Sequence, residues 1–592
     1  MIYFPKWMNR IDAVRDICYN LPILWKCNFH KAKNQIEEDD SMKATKKILV
    51  FLLAAVMLMM CACGSSGSSA SSSEAAPAES DSSAAAPAAE PAAKASAQEY
   101  DAVAAVSLDF TTMDPVDTSD TLSGGIQRLI MDGLFGFDDD MNQIPMLATK
   151  WEANDDATEY VLTLREGISF SDGTPWNAEA AKANLDKLND ETRHLKRTSL
   201  LSSVIDTVEV TGEYEVTVKL STPFSAFIAN LCHPACVMMS PKVIEAGDDV
   251  CAAAPIGTGQ YLFVEWEHGD HLKLELNPNW WGYEAGLVSP DAGFKTIDFK
   301  VVTENATRVN MLMAGDADFI WPVPTESYAN VEADPNLVAH SEAGIVVRWL
   351  YMNTQKAPLN DVRVRKALAL SVNKEAFLQL IYNGHGSLAT SILGSKVTGY
   401  KRNEPVEFNV EEAKALLAEA GYPDGFTITQ YYSNNTTNQK SAEFMAQQFA
   451  QIGVTLNLVG EESAMTNERI QNSTKPGAEA DVDVYLTGWS PSTGDADWAL
   501  RPLLCSEMCP PTNYNIAYFN NAEYDDLVHG ALAVPDQAKK NEMYARAQDI
   551  IWEEMPIIPL MEQDNTWANK NIFEGILIYP DGAINVRNAT IK

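Results

Sequence analysis

The segment 488–501 concentrates side chains that could bind a small polar molecule. It reads GWSPSTGDADWALR and places two carboxylates, Asp495 and Asp497, close before the guanidinium of Arg501. A guanidinium can hold a carboxylate through two parallel hydrogen bonds, and a carboxylate can hold an ammonium. The segment could therefore bind both ends of a zwitterion. The alternative for Arg501 is a salt bridge within this aspartate-rich segment.

Signals for metal binding or catalysis are weak elsewhere in the sequence. His268 and His271 have no third ligand at metal-binding spacing, so a solvated loop is the better interpretation. The sequence contains no H-E-x-x-H, no G-x-S-x-G and no P-loop. We therefore expect no resident metal, no cofactor and no hydrolysis of nucleotide through a P-loop.

A secretion signal is visible within the first hundred residues. Three lysines precede an apolar run from Ile48 to Met60, and Cys63 follows with Gly-Ser-Ser behind it. The run is too short to cross a bilayer but suits the apolar part of a signal peptide. The pattern resembles a bacterial lipoprotein signal, so we expect 42–62 to be removed and Cys63 to carry lipid. The mature chain would then lie on the outer face of the cytoplasmic membrane, on the periplasmic side if the cell has an outer membrane.

The residues on either side of this signal are not expected to fold. Because the signal is internal, we expect translation to start at Met42 and 1–41 to be absent from the natural protein. Residues 63–98 begin with the lipidation site, and from Gly64 onward they consist almost entirely of Ala, Ser, Glu, Pro and Gly. Such a composition cannot bury enough apolar surface to fold, which predicts a disordered tether between membrane and domain.

Charge and cysteine content restrict the remaining possibilities. A net charge of −37 disfavours nucleic acid and anionic lipid as partners. Disulfides can persist outside the cytoplasm, and Cys505 with Cys509 is a plausible pair. Cys232 could pair with Cys236 or Cys251, which leaves at least one thiol free.

The globular part alternates helices and strands. Tyr160, Leu162 and Leu164 alternate with polar neighbours as in a half-buried strand, and 208–210 with 216–218 read as a hairpin. Strand 103–110 and helices 122–134, 441–452 and 537–554 are also predicted. Asn177 can cap a helix through about Leu188, and Asn409 is placed to cap a helix through Ala420, with Glu412 completing a capping box. The pattern predicts an α/β protein with crossover connections and two or three domains.

Several segments together resemble the family-5 extracytoplasmic solute-binding proteins, the peptide- and nickel-binding receptors of ABC importers. They are YVLTLREGISFSDGTPWNAEAAKANL (160–185), PIGTGQYLFVEW (255–266), LNPNWWG (276–282), LNDVRVRKALALSVNKEAF (359–377), FNVEEAKALLAEAGYPDGFTI (408–428) and MYARAQDIIWEEMPIIPL (543–560). The stretch 488–504, together with Pro-Asp-Gly at 580–582, looks closest to the glutathione-binding branch.

The resemblance implies an α/β, two-lobe periplasmic-binding-protein type II fold. In this clamshell, two crossing strands join the lobes and an additional small domain is inserted in lobe I. We map lobe I to 99–137, 255–345 and 560–592, the inserted domain to 138–254, and lobe II to 346–559. The crossings would lie near 346–353 and 557–562.

The resemblance also implies which residues face the interlobe cleft. Many peptide-binding members resemble G-W-x-x-D, in which the aspartate holds the ligand ammonium; here Ser492 occupies that place, so Asp495 could take the role. The expected set also includes Trp489 as an apolar wall, Arg348 as a second carboxylate site, Asn353, and the loop Thr118, Ser119, Asp120 and Thr121. Core packing for Trp489 and helix capping for the loop are the alternatives.

The expected function is binding without chemical change. The chain would be a monomeric receptor, held to the membrane through the lipid on Cys63. It would capture a short peptide, glutathione-like, and deliver it to an ABC permease with ATPase subunits. Two alternatives remain open: the same fold with a nickel chelate, haem or an oligosaccharide as cargo, and a secreted hydrolase.

Overall fold

The computed structural model describes residues 96–118, 120–511 and 513–592. The predicted leader, signal peptide and lipidation site, nearly all of the tether, and Ser119 therefore lie outside the described residues. Within the described ranges, no helix combines the length and the apolar character needed to cross a membrane.

In the part of the chain that the structure describes, twenty-one strands form one large mixed sheet and several smaller ones. They are β1 Asp101–Val106, β2 Phe135–Phe137, β3 Gln143–Pro145, β4 Ala148–Ala153, β5 Glu159–Leu164, β6 Ile205–Gly212, β7 Glu215–Leu220, β8 Tyr261–Glu267, β9 His271–Leu276, β10 Thr296–Val301, β11 Phe319–Trp321, β12 Leu337–Met352, β13 Gly386–Leu388, β14 Thr427–Ser433, β15 Thr455–Glu461, β16 Val484–Trp489, β17 Ile557–Lys570, β18 Phe573–Glu574, β19 Leu577–Ile578, β20 Ile584–Asn585 and β21 Thr590–Ile591.

Helices connect these strands. They are α1 Thr121–Ile130, α2 Ala178–Asn189, α3 Phe227–Leu231, α4 Pro241–Ala246, α5 Asp248–Ala253, α6 Trp281–Glu284, α7 Asn305–Ala314, α8 Tyr328–Glu332, α9 Val362–Leu370, α10 Lys374–Tyr382, α11 Val410–Glu419, α12 Thr436–Ala450, α13 Ser463–Ile470, α14 Asp497–Leu504, α15 Ala522–Leu532 and α16 Gln537–Glu554. Short 3-10 helices lie at Ala97–Glu99, Pro115–Asp117, Glu191–Arg193, Thr198–Leu200, Pro234–Cys236, Gly477–Glu479 and Ser506–Met508.

The large sheet is continuous through two long strands. Its order is β15-β14-β16-β12-β17-β11-β1-β10-β9-β8, and β13 pairs with β17. Strands β12 and β17 pair antiparallel from Leu337 opposite Lys570 to Tyr351 opposite Ile557. One end of this pair carries β11, β1, β10, β9 and β8, which we call the lobe I side; the other end carries β16, β14 and β15, the lobe II side.

The pairing is interrupted where the two sides meet. The β12–β17 register shifts between Ala343 and Val347, and the intervening Ile345 N–H donates to Pro580 O at 2.9 Å. A register shift bends and twists a strand locally, which lets one strand serve two differently oriented halves of a sheet. The two predicted crossings are thus present, and the limits predicted for the lobes and the inserted domain stay predictions.

Each side has its own buried cluster, and a third cluster bridges them. Phe299 and Phe319 belong to the lobe I cluster, and Phe377 and Phe444 to the lobe II cluster. The four-stranded sheet β4-β5-β7-β6 contributes to a cluster that also contains Trp349 and residues of α14 and α16. Backbone contact is direct as well, since Ser225 N–H donates to Leu532 O at 2.7 Å. The four-stranded sheet and its following segment therefore pack directly against helices of the lobe II side.

Local signals place several elements as predicted. Asn177 and Asn409 cap α2 and α11 through the backbone N–H groups of Ala180 and Glu412. Tyr160, Leu162 and Leu164 are buried in alternation along β5. Two predicted elements are too long: the strand from Val103 ends at Val106 and the first helix ends at Ile130, because Met131 is extended.

The register shift predicts a steric requirement at Gly344. A Cβ there would lie 2.8 Å from the backbone oxygen of Gln563. We expect Gly344→Ala to lower the free energy of unfolding by about 1–3 kcal/mol, because the rigid backbone of β17 must move. Chemical denaturation measures this change. Gly136→Ala is the control, since its Cβ would meet only the flexible Met146 side chain. Equal stability of the two variants would contradict the steric interpretation.

Candidate ligand-binding cavity

A cavity of about 520 Å³ lies between the two sides of the molecule. The lobe II face consists of Trp489, Ser490, Ser492, Trp498 and Tyr514. The lobe I face consists of Pro115, Thr118, Asp120, Thr121, Lys196, Arg197, His233, Pro234, Ala235, Asp581 and Ala583. The volume falls within the range of small-molecule sites, roughly 300–1,000 Å³. Five predicted cleft residues line it: Thr118, Asp120, Thr121, Trp489 and Ser492.

Aromatic side chains dominate the lobe II face. The ring centroid of Trp489 lies 5.1 Å from that of Tyr514 and 6.4 Å from that of Trp498. Trp489 Nε1 donates to Trp498 O at 2.7 Å, which fixes its indole relative to the start of α14. The Ser490 hydroxyl is buried and has no hydrogen-bond partner among the described residues. This face therefore offers flat apolar walls and an unsatisfied hydroxyl.

The lobe I face carries the charges. Asp120 caps α1 by accepting from Ser123 N–H at 2.8 Å, and its other oxygen accepts from Thr111 Oγ1 at 2.6 Å. Thr118 is buried and donates to Asp114 O, so its side chain serves the loop. Asp120 thus lines the cavity as a positioned carboxylate.

Arg197 is the cationic residue that sequence reasoning missed. Its Nε donates to Thr118 O at 2.8 Å, which holds the half-buried guanidinium beside the Asp120 loop. Burial lowers the pKa of Arg197, while the charges of Tyr514 and Asp120 oppose that shift. Lys196 lies at the rim, where its Nζ donates to Asp117 O at 3.0 Å. No motif surrounds Arg197, so only the tertiary structure identifies it.

The charged side chains of the 488–501 segment form ion pairs within the protein. Asp495 forms a buried ion pair with Lys540 at 2.8 Å, with side-chain exposures of 1% and 3%. Arg501 forms two hydrogen bonds with Asp497, at 2.8 and 2.7 Å. None of Asp495, Asp497 and Arg501 lines the cavity. The ion pair of Arg501 with Asp497 is the alternative to binding of a ligand carboxylate that the sequence left open. Within a helix, positions four apart face each other, and this geometry brings Arg501 onto Asp497.

Arg348 and Asn353 are also placed outside the cavity lining. Arg348 Nε donates to Gln563 Oε1 at 3.1 Å across the crossing strands. Asn353 is buried and donates to Gly477 O and Val482 O at 2.9 and 3.1 Å. Arg348 thus links the two crossing strands and Asn353 fastens backbone segments near the sheet, and their contact with ligand stays a prediction.

The predicted Cys505–Cys509 disulfide is not formed. Both cysteines are free, as are Cys232, Cys236 and Cys251. The intervening residues Ser506–Met508 form a 3-10 helix, and Cys509 Sγ donates to Ser506 O instead of approaching Cys505. This turn separates the two thiols.

A serine–histidine contact at the crossing does not form a catalytic triad. Ser341 Oγ lies 2.8 Å from His385 Nδ1 and donates to Asp564 Oδ2 at 2.7 Å. In a triad the carboxylate orients the histidine, whereas here it holds the serine itself. The cluster therefore lacks the arrangement that activates a nucleophile.

Comparison with known proteins places the chain in a family. Residues 142–507 match the model for bacterial extracellular solute-binding proteins, family 5. The chain belongs to this family. The glutathione-binding protein GsiB of Salmonella typhimurium is 37% identical over 493 residues, covering 83% of this chain and 94% of the relative. The expected two-lobe fold is confirmed.

Solved structures agree with the family-5 assignment. HbpA2 from Haemophilus parasuis superposes with a TM-score of 0.74 at 25% identity, covering 83% of this chain and 99% of that one. The Helicobacter pylori periplasmic binding protein DppA, solved with the peptide STSA, has a TM-score of 0.69 at 23% identity, with coverages of 83% and 99%. The latter likeness concerns the fold alone.

Loss of the buried ion pair between Asp495 and Lys540 should destabilise the folded protein. We expect Asp495→Asn to lower the free energy of unfolding by about 3–5 kcal/mol, because it leaves the Lys540 ammonium buried without a counter-charge. Denaturant titration measures the loss. Asp186→Asn is the control, since its pair with Lys182 is exposed and worth at most about 1 kcal/mol. A loss no larger than that of the control would contradict the assignment.

His233 also lines the cavity, and its burial should make the stability of the folded protein depend on pH. Burial, followed by the charges of Arg197 and Arg128, holds the pKa of His233 well below 6.5. Its Nδ1 accepts from Ala235 N–H at 3.0 Å, so the neutral ring carries its proton on Nε2. The unfolded chain binds the proton more readily. Stability from this group is thus complete above pH 6.5 and is lost progressively as pH falls below it.

The variant His233→Asn isolates this effect because asparagine can still accept from Ala235 N–H. Below pH 6.5 we expect the wild type to lose up to about 1.4 kcal/mol per pH unit more than the variant. Urea titrations from pH 7.5 to pH 5 measure both slopes. Parallel slopes would show that His233 is not held neutral.

Proposed function

We propose that this family-5 protein is the receptor of an ABC importer that captures a small, charged peptide of the glutathione type. The observation that carries the proposal is the cavity itself, with Arg197 and Asp120 on one face and aromatic rings on the other. The receptor closes over its guest, delivers it to a permease with ATPase subunits, and makes no chemical change.

The chemistry of glutathione matches the groups that line the cavity. Glutathione carries one ammonium and two carboxylates, and its net charge near neutral pH is negative. Arg197 supplies a guanidinium for a carboxylate, and Lys196 adds positive charge at the rim. Asp120 is the acceptor for the ammonium. Because closure excludes water, each charge-assisted hydrogen bond gains strength.

The hydroxyl groups on the lobe II face support a small ligand that carries polar groups. Ser492 occupies the place where many peptide-binding relatives carry an aspartate, and the cavity residue Ser490 has a buried hydroxyl without a described partner. Asp495 cannot substitute for that aspartate, because it is paired with Lys540. The ammonium is therefore assigned to the lobe I face.

Attachment to the membrane is the part of the proposal that depends on sequence alone. The lysines, the short apolar run and Cys63 support secretion followed by lipidation, and the tether supports a mobile domain near the permease. Mass spectrometry of the protein from its natural source tests this, and an unmodified peptide spanning Cys63 would contradict it.

The cargo is tested by direct binding. Trp489 and Trp498 line the cavity, so ligand binding should change the intrinsic fluorescence. Glutathione, a neutral dipeptide, nickel–histidine, haem and a short oligosaccharide are compared, with calorimetry as the second measurement. We expect a response to glutathione stronger than to the neutral dipeptide. Binding of the sugar or haem without any response to peptides would overturn the cargo assignment.

Arg197→Gln tests the carboxylate site. Hydrogen bonds to charged groups contribute about 1.5–3 kcal/mol, so we expect the Kd for glutathione to rise roughly 10- to 100-fold. Arg402→Gln is the matched control, because Arg402 is an exposed arginine away from the cavity. If both variants bind glutathione as the wild type does, Arg197 does not hold the ligand.

A further inference from the structure

A mixed group of donor side chains lies at the end of α14, outside the ligand cavity. Cys505, Glu507 and His529 place one sulfur, one oxygen and one nitrogen within 4.8 Å of one another. Cys505 follows α14, Glu507 lies in the 3-10 helix Ser506–Met508, and His529 lies in the last turn of α15. His529 Nε2 and Glu507 Oε1 are 2.8 Å apart. Soft and borderline donors of this kind together are the ligands that zinc prefers.

Bonds made by other groups hold the three donors in place. Ser506 N–H donates to Asp525 Oδ1 at 3.0 Å, and the Ser506 hydroxyl also binds this α15 carboxylate. Asn515 Nδ2 donates to Cys505 O at 2.9 Å. The turn carrying Cys505 and Glu507 is thereby fixed against the helix carrying His529. A metal would have to replace the hydrogen bond between His529 Nε2 and Glu507 Oε1.

Carboxylates surround the three donors. Asp525 accepts hydrogen bonds from the Ser506 backbone and hydroxyl, and the Glu507 carboxylate lies beside His529. Asp497, at the start of α14, is paired with Arg501. The carboxylates of Glu507 and Asp525 would attract a divalent cation at this position.

Two other donor groups among the described residues fit a metal less well. Asp114, Asp248 and Cys251 lie close together, but the Lys187 ammonium lies 2.6 Å from Asp114 and takes the place of a cation. Glu267, Asp270 and His271 offer no sulfur. The group at Cys505 is therefore the one whose chemistry selects a thiophilic ion.

We propose that Cys505, Glu507 and His529 bind one zinc ion, with water as the fourth ligand. Binding replaces the Cys505 thiol proton, which passes to solvent, and forms a zinc–sulfur bond. The carboxylate of Glu507 coordinates through oxygen. His529 coordinates through Nε2 with its proton on Nδ1, so the present His529–Glu507 hydrogen bond gives way to two bonds to the metal.

The site would tie together segments that reach the ligand cavity. Tyr514, on the lobe II face, belongs to the loop that follows Cys505, and its N–H donates to Pro502 O at 3.2 Å. Zinc would cross-link the start of this loop to α15. Its role is structural, and it is independent of which peptide the cavity accepts.

Cobalt titration followed by zinc displacement tests the proposal. The full chain, reduced, stripped of metal and free of a histidine tag, is titrated with Co²⁺ alone. We expect one equivalent to bind with a thiolate-to-metal charge-transfer band, and Zn²⁺ to displace it. Absence of the band in the wild type would overturn the proposal.

Substitution of the exposed donors keeps the test independent of folding. Even outer-shell changes weaken metal sites about 10–100-fold, so His529→Gln and Glu507→Gln should each weaken Co²⁺ binding at least about tenfold. Cys505→Ser should abolish the charge-transfer band. His268→Gln, at a histidine remote from the site, should bind as the wild type does. Unchanged affinity in His529→Gln would refute the assignment.

Discussion

The antiparallel pairing of β12 with β17 is the interaction on which the rest of the structure depends. It is the connection through which both halves of the large sheet are continuous. Hydrogen bonds along this pair hold the halves together, and the register shift at 343–347 bends them. Since the cavity lies between the halves, its width depends on this bend. Gly344 and the Ile345–Pro580 contact therefore affect the geometry of the cavity although neither lines it.

The two acidic positions of the 488–501 segment show how a binding motif and a stabilising motif can look alike. Two carboxylates and an arginine close together suit a zwitterion, and they equally suit internal ion pairs. Burial decides between these possibilities, because a charge held at about 1% exposure needs a fixed counter-ion. The partner of Asp495 is Lys540, forty-five residues away in α16, and local sequence could not reveal it.

Local signals account for much of the fold. Capping asparagines, strand alternation and the hairpin at 208–218 depend on neighbours within a few residues, and the structure confirms them. The resemblance to family 5 provided the two lobes and the crossings. The cavity was predicted in part: Thr118, Asp120, Thr121 and the turn after Trp489 line it, whereas Arg197 was missed. Its position depends on a contact with Thr118 across 79 residues, which no spacing in the sequence encodes.

The distribution of charge in the cavity has a kinetic consequence. Arg197, Lys196 and Asp120 lie on the lobe I face, and the rings of Trp489, Trp498 and Tyr514 lie on the other. In an open receptor, these three charged side chains would attract a ligand to the lobe I side before the lobe II side closes over it. Diffusional capture would depend on ionic strength, whereas the subsequent stacking of the aromatic half would be nearly insensitive to salt. The charged side chains would govern the rate of ligand association, and the aromatic contacts would govern the rate of dissociation.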